Sequence, residues 1–210
     1  MLDTICDVLK HSYQRGWIST RDGNASFRRA AENHMYITPS GVRKQNLYPE
    51  LFIKLEFTPE EDTEIKRDLK LPWENVRRIE DDYSVNAVGL NPSGELPLHY
   101  LLQRNIKANQ VVLHLHPTHI ISAMYAGLDL QYIAQEFPEI NRYSRVGPSV
   151  PQIEPISGAL GLAVEKAMEG CHIVGMDRHG VVAVGQTAWE AFEHIERLEH
   201  VCQIVLGANL

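Results

Sequence analysis

Residues 109–119 read NQVVLHLHPTH, and the interpretation of the whole chain turns on this run. Val111, Val112 and Leu113 favour a β-strand, because branched and apolar side chains pack well on a pleated surface. Side chains two apart on a strand share a face. His114 and His116 then present two imidazoles on one side, about 6–7 Å apart at the backbone. That is a workable bite for one metal ion, with Pro117 ending the strand just beyond it. A polar strand end without a ligand would look the same, so the surrounding chain has to separate the two readings.

Downstream, residues 117–126 predict a helix with Pro117 in its first turn, where a missing N–H is tolerated. Residues 157–168 predict another. The segments HIVGM (172–176) and GVVAVG (180–185) read as two strands joined through Asp177, Arg178, His179 and Gly180. In the last helix Thr187 and Glu190 have the spacing of a capping box. Phe192, Ile195, Leu198, Cys202 and Val205 form its apolar stripe, a core or subunit interface. Upstream, Leu2, Ile5, Cys6 and Leu9 recur at helical spacing, and that helix should stop near Arg15 and Gly16. GNASFR (23–28) and HMYITPSG (34–41) read as short strands with turns. Residues 94–105 predict a helix carrying Leu96, His99, Tyr100 and Leu101.

The 210 residues suffice for one substantial core, and a single domain over 1–210 is the simplest organisation. Composition is that of an ordinary globular protein, 44% hydrophobic and 22% charged. A net charge of −7 argues against a nucleic-acid surface. No stretch approaches the roughly 18–20 apolar residues of a membrane span. The start, with Asp3 and Asp7, lacks the basic and apolar signature of a secretory leader. Cys6, Cys171 and Cys202 are odd in number and scattered, which suits reduced thiols and a cytoplasmic location. From Pro59 to Asp82 the chain carries nine acidic and five basic residues, and we expect an exposed charged excursion there.

The chemistry-bearing residues fall into two sets. Gly23-Asn24, Ser40-Gly41 and Ser93-Gly94 are turn pairs whose N–H groups and short polar side chains can ring an anion. The third precedes a predicted helix, whose N-terminus favours a phosphate. Glu95 is the candidate acid/base, although a carboxylate in a first helical turn is also favoured by the dipole alone. His99, four residues on, shares its helix face and reads as a supporting or core residue. His179, in the turn before Gly180, would supply a third nitrogen ligand. Three histidines with an open position suit a catalytic divalent metal, and nitrogen donors favour zinc over magnesium.

In this order and spacing, GNASFR, ITPSG, PSGELPLH, HLHPTH and RHGVVAVG resemble the class II aldolase/adducin family, over nearly the whole chain. Within it, GELPLH and the ending most resemble the rhamnulose- and fuculose-phosphate aldolases. The resemblance implies an αβα sandwich around a mainly antiparallel sheet, assembled as a homotetramer. It implies zinc on His114, His116 and His179, with Glu95 as the general acid/base. It also places a substrate phosphate on Asn24, Ser40, Gly41, Ser93 and Gly94. The implied reaction is reversible cleavage of a ketose 1-phosphate to dihydroxyacetone phosphate and an aldehyde through an enediolate. The alternatives sharing these ligands are a methylthioribulose-1-phosphate dehydratase and a pentulose-phosphate 4-epimerase. An adducin-like binding domain is the non-enzymatic alternative.

This chain departs from the family pattern in places. Ser93-Gly94 replaces two hydroxyl residues before the glutamate, which removes one side-chain donor to a phosphate. The charged stretch lengthens the path from TPSG to PSGE. The segment after the last helix is too short for the tail whose tyrosine reaches a site in the fuculose-phosphate enzymes. Glu136 or Glu139 is the candidate for a second proton-shuttling carboxylate, with an exposed structural role the simpler reading.

Overall fold

A computed structural model describes residues 1–57, 76–79 and 85–208. Seven strands form one antiparallel sheet: β1 (Asn24–Arg28), β2 (His34–Ile37), β3 (Ile53–Phe57), β4 (Val76–Ile79), β5 (Gln110–Leu115), β6 (Ile173–Met176) and β7 (Gly180–Gly185). Their order across the sheet is β4-β3-β2-β1-β5-β7-β6. Helices α1 (Leu2–Gln14), α2 (Leu96–Arg104), α3 (Thr118–Tyr125), α4 (Leu130–Glu136), α5 (Pro138–Tyr143), α6 (Gly158–Ala167) and α7 (Ala188–Ala208) cover it.

Strand alternation sorts the helices into two layers. On β1 and β5, Ala25, Phe27, Val111, Leu113 and Leu115 pack with α1, α3, α4 and α7 through residues such as Leu9, Ile120, Ile133 and Phe192. On the other face Val112, Val174 and Val182 pack with Leu98 of α2 and Leu160 and Val164 of α6. Met35, Ile37, Ile53 and Leu55 extend that second face to Leu96 and Leu101 of α2. Burial of each such side chain contributes roughly 1.5–3 kcal/mol. The αβα sandwich around an antiparallel sheet is therefore the architecture observed.

Local signals set most helix ends. Glu190 N–H donates to Thr187 Oγ1 at 3.1 Å, which is one arm of the expected capping box. The reciprocal arm falls one residue early, with Gln186 N–H donating to Glu190 Oε2 at 2.6 Å. Of the α7 stripe, Phe192, Ile195, Leu198 and Cys202 are buried, while Val205 is half-buried. The α7 carboxylate of Glu199 is buried too and accepts from the N–H groups of His119 and Ile120. It thereby caps α3 from another element, where the helix itself offers no acceptor.

Some expectations need correction. β5 ends at Leu115, so His116 lies just past the strand and Pro117 is the N-cap of α3, not a first-turn residue. Glu95 is likewise the N-cap of α2, one residue outside the helix. Within the expected charged excursion, Val76–Ile79 forms β4 and pairs with β3, so this part belongs to the sheet. The rest of residues 59–82 lies outside the described residues. Strands β3 and β4 and helices α4 and α5 have no counterpart in the sequence reading.

Candidate active site

The face of the sheet beneath α2 is largely apolar, with polar side chains along β1 and β5. Antiparallel register places Asn24 opposite His114 and Ser26 opposite Val112, so these side chains share that face. Above them α2 presents Glu95, His99 and Gln103, spaced four apart along one stripe. His99, fully buried, lies with Nδ1 2.7 Å from Ser26 Oγ and Nε2 2.5 Å from Asn24 Oδ1. Gln103 Nε2 donates to Ser26 Oγ at 3.0 Å. One proton assignment satisfies this chain: Ser26 O–H donates to His99 Nδ1, and His99 Nε2–H donates to Asn24 Oδ1. The Asn24 amide is thereby fixed with its NH₂ group left for another partner. Burial, with His114 nearby, pushes His99 down to about 3, so the ring is neutral.

His116 stays on this face because its N–H donates to the Trp17 carbonyl at 2.8 Å. His179 arrives from the β6–β7 hairpin, whose turn closes with His179 N–H on Met176 O at 3.0 Å. Arg178 sits in the turn at φ 56°. The hairpin can come this close because the next residue is glycine. A Cβ on Gly180 would lie 2.5 Å from the Leu115 carbonyl and 2.7 Å from His116 Cδ2.

The structure thus brings His114, His116 and His179 together, with one ligand atom from each inside a 4.8 Å spread. His114 Nδ1–H donates to Val181 O at 2.9 Å, which leaves its Nε2 lone pair for the cluster. His116 Nε2 is 2.9 Å from His114 Nε2. Nitrogens sharing a tetrahedral ion at 2.0–2.1 Å sit about 3.3 Å apart, so the cluster suits one ion with small adjustment. Burial first, and then the neighbouring imidazole, pushes both His114 and His116 to about 3. They are neutral, as ligation requires.

Glu95 completes the centre. It is 7% exposed, with Oε1 3.3 Å from His179 Nε2 and Oε2 3.5 Å from His114 Nε2. Glu95 Oε2 is buried without a hydrogen-bond partner, as is His179 Nδ1. An orphaned buried carboxylate oxygen facing a neutral imidazole is what a bound cation would satisfy, so the residues fit a divalent ion. Burial raises the Glu95 carboxyl, against a smaller lowering by His179.

The turn pairs converge beside this centre. Residues 39 and 92 form an antiparallel bridge, Ser40 N–H donates to Asn91 O at 2.8 Å, and Ser93 N–H donates to Thr38 O at 3.0 Å. Those two amides are thus engaged within the protein, which corrects the expectation that they face an anion. Glu95 N–H is directed to Ser93 Oγ at 3.3 Å. Among the described residues, the Gly41 and Gly94 amides, the Ser40 hydroxyl and the Asn24 NH₂ stay open to a ligand. A Cβ on Gly94 would lie 3.0 Å from Ile156 Cδ1, so Ile156 occupies the space of the absent second hydroxyl. Glu136 and Glu139 are exposed, at the end of α4 and the start of α5, outside the histidine cluster. Ser26, Gln103 and Lys44 go unnoticed in the sequence reading, which takes Gly180 only as a turn residue; the i, i+4 relation of Gln103 to His99 is a usable signal.

Comparisons agree with this architecture. Residues 3–206 match the family model described as Class II Aldolase and Adducin N-terminal domain. A probable methylthioribulose-1-phosphate dehydratase of Drosophila willistoni is 32% identical over 201 residues, covering 89% of this chain and 78% of that protein. A methylthioribulose-1-phosphate dehydratase of Osmerus mordax is 26% identical, covering 89% and 74%. The fold matches an L-fuculose-1-phosphate aldolase of Thermus thermophilus with a TM-score of 0.69 at 21% identity, covering 99% and 93% of the two chains. It also matches a sugar-phosphate aldolase of Thermotoga maritima, with a TM-score of 0.72 at 20% identity, covering 97% and 94%. The chain is an enzyme and belongs to the class II aldolase and adducin N-terminal domain family.

Proposed function

We propose that this enzyme is a metal-dependent dehydratase of a ketose 1-phosphate, with methylthioribulose 1-phosphate as its substrate class. One observation carries the chemistry: the buried Glu95 carboxylate lies 3.3 Å from His179 and 3.5 Å from His114 in a cluster of three convergent imidazoles. The choice of dehydration over aldol cleavage, which the sequence motifs place first, is supported by the dehydratase relative 32% identical over 89% of the chain. His114, His116 and His179 would hold the ion, zinc by their nitrogen donors, and when bound it would polarise the substrate ketone and acidify the neighbouring C–H.

Glu95 takes the proton from the carbon next to the ketone. The electron pair left behind expels the hydroxyl from the following carbon, and Glu95 returns its proton to that group, which departs as water. The enol that remains tautomerises to a diketone 1-phosphate. The Asn24 NH₂, the Ser40 and Ser93 hydroxyls and the Gly41 and Gly94 amides hold the phosphate, and His99 keeps the Asn24 amide facing it. The homotetramer belongs to the same proposal, supported by exposed aromatic surface at Tyr125 and Tyr132. So does the cytoplasmic setting, supported by three free cysteines. Among the described residues no helix is long and apolar enough to cross a membrane.

The test is a product assay on the zinc-loaded protein with methylthioribulose, rhamnulose and fuculose 1-phosphates. Dehydration predicts loss of one water from the first by mass spectrometry and no dihydroxyacetone phosphate from any. Release of dihydroxyacetone phosphate would replace this reading with aldol cleavage, and a substrate inverted at carbon 4 would replace it with epimerisation.

A further inference from the structure

Lys44 is a lysine where none would be expected. It is 2% exposed, one of the largest fully buried side chains. Its ammonium donates to three backbone carbonyls: Arg21 O at 3.1 Å, Pro39 O at 3.3 Å and Val42 O at 3.2 Å. Among the described residues it forms no ion pair. Asp22, on the turn that supplies Arg21, is the acidic group whose field favours its charge, and burial outweighs it, lowering Lys44 to about 8. An unpaired buried charge is costly, so its retention calls for a partner or a task.

The three carbonyls show what the ammonium holds. Arg21 O lies just before the Gly23-Asn24 turn, and Pro39 O and Val42 O bracket Ser40-Gly41. The peptide between Pro39 and Ser40 is gripped at both ends, with its carbonyl on Lys44 and its N–H on Asn91 O at 2.8 Å. A trans peptide points these groups in opposite directions, so both contacts are satisfied by one orientation of the plane. Through the bridge between residues 39 and 92, this grip extends to the loop carrying Ser93-Gly94. Lys44 therefore joins two of the three turn pairs directly and the third through one peptide.

We propose that Lys44 is the positioning residue and buried counter-charge of the anion site, locking the Gly23-Asn24 and Ser40-Gly41 turns together and balancing the charge of a phosphate they receive. The inference rests on the phosphorylated-substrate reading above. It assigns the site a fixed cation that does not touch the ligand. The ammonium's donors are taken by carbonyls, so its field acts over the width of the loop.

Calorimetric titration with inorganic phosphate tests it, on the zinc-loaded protein and on His116→Ala, whose phosphate signal comes from the loops and not from an ion. Lys44→Met should weaken phosphate binding at least tenfold and raise KM by a similar factor, with kcat within about threefold of the parent. Lys44→Arg should restore part of the binding. Wild-type affinity should fall by up to tenfold per pH unit from pH 8 to 10, where phosphate stays a dianion and Lys44 loses its proton. That profile keeps the test open if Lys44→Met does not fold. Phosphate affinity that is flat from pH 8 to 10, or full affinity in folded Lys44→Met, would overturn the proposal. Failure of the wild type to bind phosphate at all would instead remove the phosphorylated-substrate reading on which it rests.

Discussion

His114 Nδ1 and the carbonyl oxygen of Val181 are 2.9 Å apart across the β5–β7 ladder, and this bond decides which nitrogen of His114 faces the site. The strand β7 that supplies the acceptor also begins immediately after His179, so one strand orients one imidazole and delivers another.

Gly180→Ala should disturb both functions at once. The added Cβ would meet the Leu115 carbonyl at 2.5 Å, a backbone atom that cannot swing aside. We expect a loss of about 1–3 kcal/mol in urea unfolding and weakened zinc binding. Unchanged stability together with full zinc content would show that the hairpin has no need of the close approach.

His116→Ala removes a ligand from outside the strand ladder, so the fold should survive its loss. Zinc content should drop from about one per chain to near zero, with an unaltered far-ultraviolet circular dichroism spectrum. Retained zinc at full occupancy would count against the three-histidine set.

Glu95→Gln keeps the shape of a buried side chain and removes its capacity to carry a proton. Zinc content and fold should persist while kcat falls by about 10²–10⁴-fold. An unchanged rate would reduce Glu95 to the N-cap of α2.

Ser26→Ala probes the chain of polar groups that aims Asn24. The change strands His99 Nδ1 in the core and leaves Gln103 Nε2 with its other acceptor, the Gln110 carbonyl. A stability loss of about 1–3 kcal/mol is expected, with KM raised more than kcat is lowered. Equal KM would mean that Asn24 keeps its orientation unaided.

Acid should weaken the fold through a histidine far from the site. His194 is 3% exposed, lies with Nδ1 2.7 Å from Ser144 Oγ, and stacks on His172 at 4.5 Å between ring centroids. Burial, followed by the fields of His172, Arg197 and Arg145, pushes it from 6.5 to about 4. Between these values the unfolded chain binds the extra proton, so stability is full above pH 6.5 and declines as pH falls towards 4. The loss attributable to this residue is on the order of 3 kcal/mol. Urea midpoints at pH 7 and pH 4.5 should differ less in His194→Gln than in the wild type; equal differences would exonerate it.

Much of this was legible in local pattern. Val111–Leu115 announces a strand, Thr187 with Glu190 starts the long last helix, and Leu2, Ile5 and Leu9 define the first. Ile53-Lys54-Leu55-Glu56-Phe57 alternates as plainly as any strand here, yet the sequence reading leaves it unassigned. β4 is harder to see, because Val76-Arg77-Arg78-Ile79 becomes a strand through its pairing with β3.

Residue types alone establish which positions can do chemistry, because imidazole, carboxylate and hydroxyl groups carry that capacity wherever they lie. Spacing alone puts the Glu95 and His99 side chains on one helix face, since four residues make about one turn. It takes the folded chain to bring His179 to a pair whose nearer member lies 63 residues upstream of it, to join residues 39 and 92, and to close the loops beneath them with a lysine. Those outcomes depend on strand register, on the absent Cβ of Gly180 and on the three carbonyls around Lys44, contacts between distant segments that no local periodicity encodes.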